Sequence, residues 1–204
     1  MVFVDDLAYY LFAIGFAGLF LAYIISKTYL SFRKGDVNLW KVLNDASIPM
    51  AFLGGYFLLS GFISQMTWFL PGPYNMLFYD PMVSFGLILM AFSLAVRFKA
   101  KLQYVGFLSL MSGVMTIWYG ISGYNLGLTR TPTELLALFV LFGLAAIFAY
   151  PATLIADRFP KSKKAVPRSW SMILIIFWIL LVFASLIAFV IGGFALPAHL
   201  ATPP

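Results

Sequence analysis

The sequence predicts an all-α protein, a polytopic membrane helical bundle of about six transmembrane helices, and three observations carry that prediction. Apolar residues make up 63% of the 204 residues and charged residues 10%. Mean hydropathy is +0.97, far from the balance of about half apolar and a quarter charged that soluble domains keep. The apolar runs are continuous, where the strands of a membrane barrel would alternate, and each suits a helix that satisfies its own backbone hydrogen bonds in lipid.

Taken in order, the first span runs from about Leu7 to Ser26. Met1 to Asp6 ahead of it ends in two acids where a signal peptide would be basic, which predicts a retained helix. After it, Asp36 to Leu43 places Leu39, Val42 and Leu43 on one face with Trp40 beside them, the pattern of a short helix lying in the membrane interface. Span two runs from Ala46 to Phe69, span three from Pro81 to Val96, span four from Leu102 to Ile121, span five from Pro132 to Ala156 and span six from Trp170 to Phe194. At 1.5 Å per residue most of these reach roughly 30 Å, enough to cross a bilayer with modest tilt. One membrane domain, residues 1–204, accounts for the whole chain.

Orientation follows from Lys and Arg. All but one of the 13 basic residues fall in alternate loops: Lys27, Arg33, Lys34 and Lys41, then Arg97, Lys99 and Lys101, then Arg158, Lys161, Lys163, Lys164 and Arg168. Arg130 is the exception. The positive-inside rule then predicts a cell-membrane protein with basic loops in the cytoplasm and both termini outside. The net charge of +6 reads as topology and anionic-lipid contact rather than nucleic-acid binding.

Between spans two and three stands Gly72-Pro73-Tyr74-Asn75-Met76-Leu77-Phe78-Tyr79-Asp80-Pro81, echoed by Gly123-Tyr124-Asn125-Leu126-Gly127-Leu128-Thr129-Arg130-Thr131-Pro132. Each follows a Met-Thr and Trp group (Met66, Thr67, Trp68; Met115, Thr116, Trp118) and ends in a Pro that opens the next run. One reading is a parallel repeat of two hairpins, spans two and three against spans four and five. The other is coincidence, since Trp, Tyr and Gly recur in interface loops. Asp80 before Pro81 and the box Thr131-Pro132-Thr133-Glu134 have the form of helix caps.

Small residues at four-residue spacing mark packing seams, within the chain or against a partner. They are Ala184, Ala188 and Gly192; Ser112, Thr116 and Gly120; Ser109 and Gly113; and Gly18 and Ala22.

Absences bound the chemistry. With no Cys there is no disulfide, thiolate or cysteine-held cluster. No charged side chain or His lies centrally in a span, which argues against an ion path, a proton relay, retinal or haem. The one His, His199, follows the last span. No cofactor and no metal are expected.

The candidate ligand pocket is therefore on the outer face: Asp80, Arg130 and Glu134 with Tyr74, Asn75, Tyr79, Tyr119, Tyr124 and Asn125, with Arg130 paired to Asp80. Two carboxylates there would also suit acid–base work, but no nucleophile constellation or phosphate-cradling loop accompanies them. No catalytic residue is assigned.

The Gly72 to Pro81 run, followed by Trp118 to Thr129, resembles a family of uncharacterised, mostly archaeal membrane proteins of about this length, over roughly Phe69 to Asp157. The resemblance implies an archaeal cell membrane and a six-helix bundle, and no activity.

The function expected is a non-catalytic subunit or scaffold, packing against partner membrane proteins, further copies of itself or lipids. A small-solute or ion transporter is the alternative, with a pore lined by Ser60, Ser64, Gln65, Thr67, Ser112 and Thr116. An outer-face enzyme is the third reading.

Overall fold

The computed structural model describes residues 7–34, 39–70, 72–158 and 167–201. Met1 to Asp6, Asp36 to Asn38 and the basic residues Lys161, Lys163 and Lys164 lie outside the described residues, as do the side chains of Arg33, Lys34, Arg168 and His199.

Six helices follow one another: α1 (Leu7–Lys34), α2 (Leu39–Thr67), α3 (Tyr74–Arg97), α4 (Gln103–Asn125), α5 (Pro132–Arg158) and α6 (Arg168–Ala201). There is no strand among the described residues. Each helix has a stretch long and apolar enough to cross a membrane. This is the architecture of a multi-pass membrane protein.

Several helices outrun their expected bounds, and proline explains part of the difference. Pro49, Pro81, Pro151 and Pro197 all sit inside helices. A proline removes one backbone donor, yet membrane helices tolerate it. Helix α3 therefore begins at Tyr74, ahead of Pro81, with the Leu77 N–H donating to the Pro73 carbonyl at 3.0 Å. The expected interface helix is absent in its described part: Leu39 to Leu43 form the first turns of α2, and Leu43 is buried in the core.

The helices follow sequence order around a ring, which α6 closes by packing on α1. The tightest pairs are α2 with α3, α4 with α5 and α1 with α6; α1 meets α2, and α3 meets α4, over shorter stretches. In each tight pair small residues let the backbones approach. A Cβ on Gly54 would lie 2.7 Å from the Met90 nitrogen, and one on Gly86 2.8 Å from the Gly54 carbonyl. Gly113 and Gly143 meet likewise, at 2.5 and 2.7 Å from each other's carbonyls. On α1, Gly15 faces Phe189 and Gly18 faces Ser185. The predicted seams on α1, α4 and α6 are thus occupied within the chain: Ala184, Ala188 and Gly192 are buried, and Gly120 abuts Phe139.

The two hairpins share a glycine crossing, but the Tyr-Asn echo does not occupy equivalent places. Tyr74 and Asn75 open α3 after their connection, whereas Tyr124 and Asn125 close α4 before theirs. Helix α4 ends in a Schellman motif: Gly127 takes φ +59°, its N–H bonds the Tyr124 carbonyl at 3.0 Å, and Leu128 bonds the Gly123 carbonyl at 3.1 Å. Below, the end of the bundle that carries these two connections is called the tyrosine end.

The crossing predicts a sharp contrast between glycines. Gly86→Ala should lower stability by about 1–3 kcal/mol through overpacking, while Gly193→Ala, where nothing lies within 4 Å, should not lower it. Unfolding titrations of the two variants in mixed detergent micelles check this; equal losses would contradict it.

Candidate functional site

Two features stand out above general packing. One is a polar clasp at the tyrosine end, and the other is a cavity inside the ring.

Helix phase creates the clasp. Asp80 lies on α3 with its carboxylate between two neighbours: Gln65 Nε2 of α2 donates to Oδ1 at 2.5 Å, and the Tyr119 hydroxyl of α4 donates to Oδ2 at 2.5 Å. The three side chains are each part-buried. Both carboxylate oxygens thus have neutral donors from two other helices, and the seam between α3 and α4 is tied where its packing is sparse. Asp80 caps no helix; it stands inside one.

The other predicted residues scatter. Tyr79, next to Asp80 in sequence but about 100° around the helix, is fully buried with its ring 5.6 Å from Tyr10 and nearly perpendicular to it. Tyr74 stacks on Phe78 at 6.4 Å. Asn75 is buried and its Oδ1 accepts from the Leu70 N–H at 3.2 Å, while its Nδ2 has no partner. Tyr124, Asn125, Arg130 and Glu134 are exposed. Asp80 and Tyr119 are the pair that the structure joins; Asp80 takes Gln65 and Tyr119 where the sequence suggested Arg130. Thr131 precedes α5 and accepts at its carbonyl from the Leu135 N–H at 3.2 Å.

The hydroxyls proposed for a polar pore are mostly spent on their own helices. Ser60 donates to the Tyr56 carbonyl, Thr67 to Ile63 and Thr116 to Ser112, at 2.5, 2.8 and 2.8 Å. Ser64 is buried, and Gln65 is turned to Asp80. Of the six, only Ser112 and Thr116 reach the cavity.

That cavity has a volume of about 200 Å³ and is walled by all six helices. Its lining runs from Leu7, Tyr10 and Phe78 at the tyrosine end to Thr28, Leu43 and Ala156 at the other. Most of the wall is Leu, Ile, Phe and Ala, interrupted by the hydroxyls of Tyr10, Thr28, Ser109, Ser112, Thr116 and Thr153, and none of its described residues carries a charge.

Sequence reasoning missed a second carboxylate clamp at the end opposite the clasp. Asp157, near the end of α5, accepts from the backbone N–H groups of Leu102 and Gln103 with its two oxygens, both at 2.9 Å. The signal was present in Lys101-Leu102-Gln103: α4 starts without a Ser, Thr, Asp or Asn of its own, so its orphan N–H groups need an outside acceptor. No comparable pattern announces Gln65 or the cavity.

The sequence pattern of one family, proteins of unknown function designated DUF981, matches residues 1–202. The chain belongs to the DUF981 family. The match takes in α1 and α6 as well as the two hairpins, so the whole ring described above is what the family comprises here. No curated protein and no solved structure matches the chain.

A double-mutant cycle tests the clasp. Asp80→Asn and Tyr119→Phe should couple, with an interaction energy of about 0.5–2 kcal/mol in unfolding titrations. Asp80→Asn and Arg130→Ala should be additive; the reverse pattern would replace the clasp with an ion pair.

Proposed function

We propose that this protein binds an elongated apolar molecule, a lipid or isoprenoid chain, inside its ring of helices, without catalysing a reaction. It keeps the non-catalytic character of the scaffold expected from the sequence but puts the lipid inside the bundle, where that reading had it packed against the helices. The observation that carries it is the cavity. Left unfilled, a partly open pocket of about 200 Å³ costs its lining the dispersion contacts that a guest would supply. Apolar cavities of similar size stay dry and accept apolar guests. An apolar chain removes the cost; water, with no polar partners along most of the wall, does not.

The other readings have less support from the same geometry. A partner-binding scaffold rested on small-residue seams, which are taken up between α1 and α6 and within the hairpins. A polar pore rested on hydroxyls that bond their own helix carbonyls.

We further propose the cell membrane of an archaeon as the setting, with the tyrosine end outward, on the strength of the family resemblance and of basic residues concentrated at the other end. The chain has no Cys, which makes labelling with a membrane-impermeant maleimide clean. Asn125→Cys should label in intact cells, and Lys101→Cys only after permeabilisation. The opposite result reverses the orientation.

Mass spectrometry of lipid extracts from detergent-purified protein tests the binding. Near-stoichiometric retention of a chain-bearing molecule is expected. Ala145→Phe, which projects into the cavity from α5, should abolish retention while circular dichroism stays helical. Phe52→Ala on the exposed face of α2 should leave it intact. Equal lipid in the wild type and Ala145→Phe would refute the assignment.

A further inference from the structure

One buried hydroxyl of the cavity wall has no partner, unlike hydroxyls elsewhere in the helices. Ser26, Ser60, Thr67, Thr116 and Ser185 each donate to the carbonyl four residues earlier in their own helix. A Thr inside a helix has that acceptor within reach and commonly uses it. Thr28 does not. It is 5% exposed, its Oγ1 has no hydrogen-bond partner, and it lines the cavity at the end away from the tyrosines. Buried side-chain oxygens are seldom left bare, and one that is calls for an explanation.

Among the described residues two further buried side-chain groups lack a partner, Asn75 Nδ2 and Thr129 Oγ1, and neither residue lines the cavity. The lining that holds Thr28 also includes the apolar Ile24, Ile25, Leu43, Ala156 and Leu174. In the same lining α5 presents Thr153, whose hydroxyl proton is committed to the Tyr150 carbonyl at 2.7 Å and whose oxygen can still accept. Thr28 offers both a donor and an acceptor.

We infer that Thr28 is the recognition point for the polar terminus of the bound molecule, and that this terminus is an uncharged hydroxyl or carbonyl. The inference rests on the cavity's being a binding site for an apolar chain. Among the described residues no charged side chain lines the wall to compensate a carboxylate, phosphate or amine, and burying an unpaired charge there is prohibitive. A neutral oxygen needs one partner, and Thr28 supplies it. The ligand then has a fixed direction. Along α1 the rise from Tyr10 to Thr28 is roughly 27 Å at 1.5 Å per residue, so a chain anchored at Thr28 runs its tail toward Tyr10 and Phe78. The class assigned is a long-chain alcohol, aldehyde or ketone, aliphatic or isoprenoid, with its head at the end opposite the tyrosines.

The test uses delipidated full-length protein and native mass spectrometry with two probes, 1-hexadecanol and hexadecane, which share a chain and differ in one hydroxyl. The wild type should bind the alcohol about fivefold better than the alkane, the effect of one net hydrogen bond. Thr28→Val, close in shape, should bind the two equally, and Thr28→Ser should keep the preference. In the absence of probe, Thr28→Val should melt at or above the wild-type temperature, because it removes an unsatisfied hydroxyl. If Thr28→Val binds both probes and retains the wild-type preference, or melts lower without ligand, the role assigned to Thr28 is overturned while the cavity stands as a binding site. If the wild type binds neither probe, the binding proposal fails and this inference with it.

Discussion

The contact on which the rest of the structure depends is the backbone-to-backbone approach at the glycine crossings, Gly54 with Gly86 and Gly113 with Gly143. In lipid, apolar side chains gain little by leaving one apolar surroundings for another. Helix association therefore leans on close packing and on polar bonds across the seam. A glycine on each side removes the Cβ atoms that would hold the axes apart. Two tight hairpins result, and α1 and α6 make a third tight pair through Gly15, Gly18 and the small residues of α6.

Three tight pairs set in a ring leave looser seams and a centre to be filled. Six cylinders of about 10 Å diameter enclose space comparable to a seventh. Large side chains such as Phe85, Phe92, Phe142 and Phe177 reach into that space and narrow it to the cavity that remains. The cavity is thus a consequence of closing the ring by α6 on α1, and its apolar character follows from helices that are apolar on nearly every face.

Polar groups are spent sparingly and at the ends. Asp80 fastens α2, α3 and α4 at the tyrosine end, and Asp157 fastens α5 to the start of α4 at the other. Deeper hydroxyls also stitch helices together, as when Ser93 of α3 donates to the Ser47 carbonyl of α2 at 2.7 Å and Ser109 of α4 to the Ala146 carbonyl of α5 at 2.9 Å. Against that economy a bare Thr28 is conspicuous, because Ser109, Thr116 and Thr153 of the same wall each donate to a backbone carbonyl. Its hydroxyl is left unpaired although the Ile24 carbonyl lies one turn earlier in the same helix.

Six helices, their order and the membrane setting were determined by the sequence alone, because composition and unbroken apolar length act residue by residue and need no knowledge of neighbours. The small-residue stripes were legible for the same reason, although not which helix each would meet. Helix ends were less so: Pro81 reads locally as a start, yet a helix that gains its stability from packing in lipid runs through it. The outer pocket was read from closeness in sequence, but Tyr79 and Asp80 point to different faces, and Tyr124 and Asn125 fall on the far side of their connection from Tyr74 and Asn75. What joined Asp80 to Gln65 and Tyr119, brought Asp157 to Leu102, and left Thr28 facing a void was the rotational phase of each helix and the closing of the ring. Only the tertiary structure decided these, because they depend on which faces of distant helices come together, and periodicity along one segment carries no record of that.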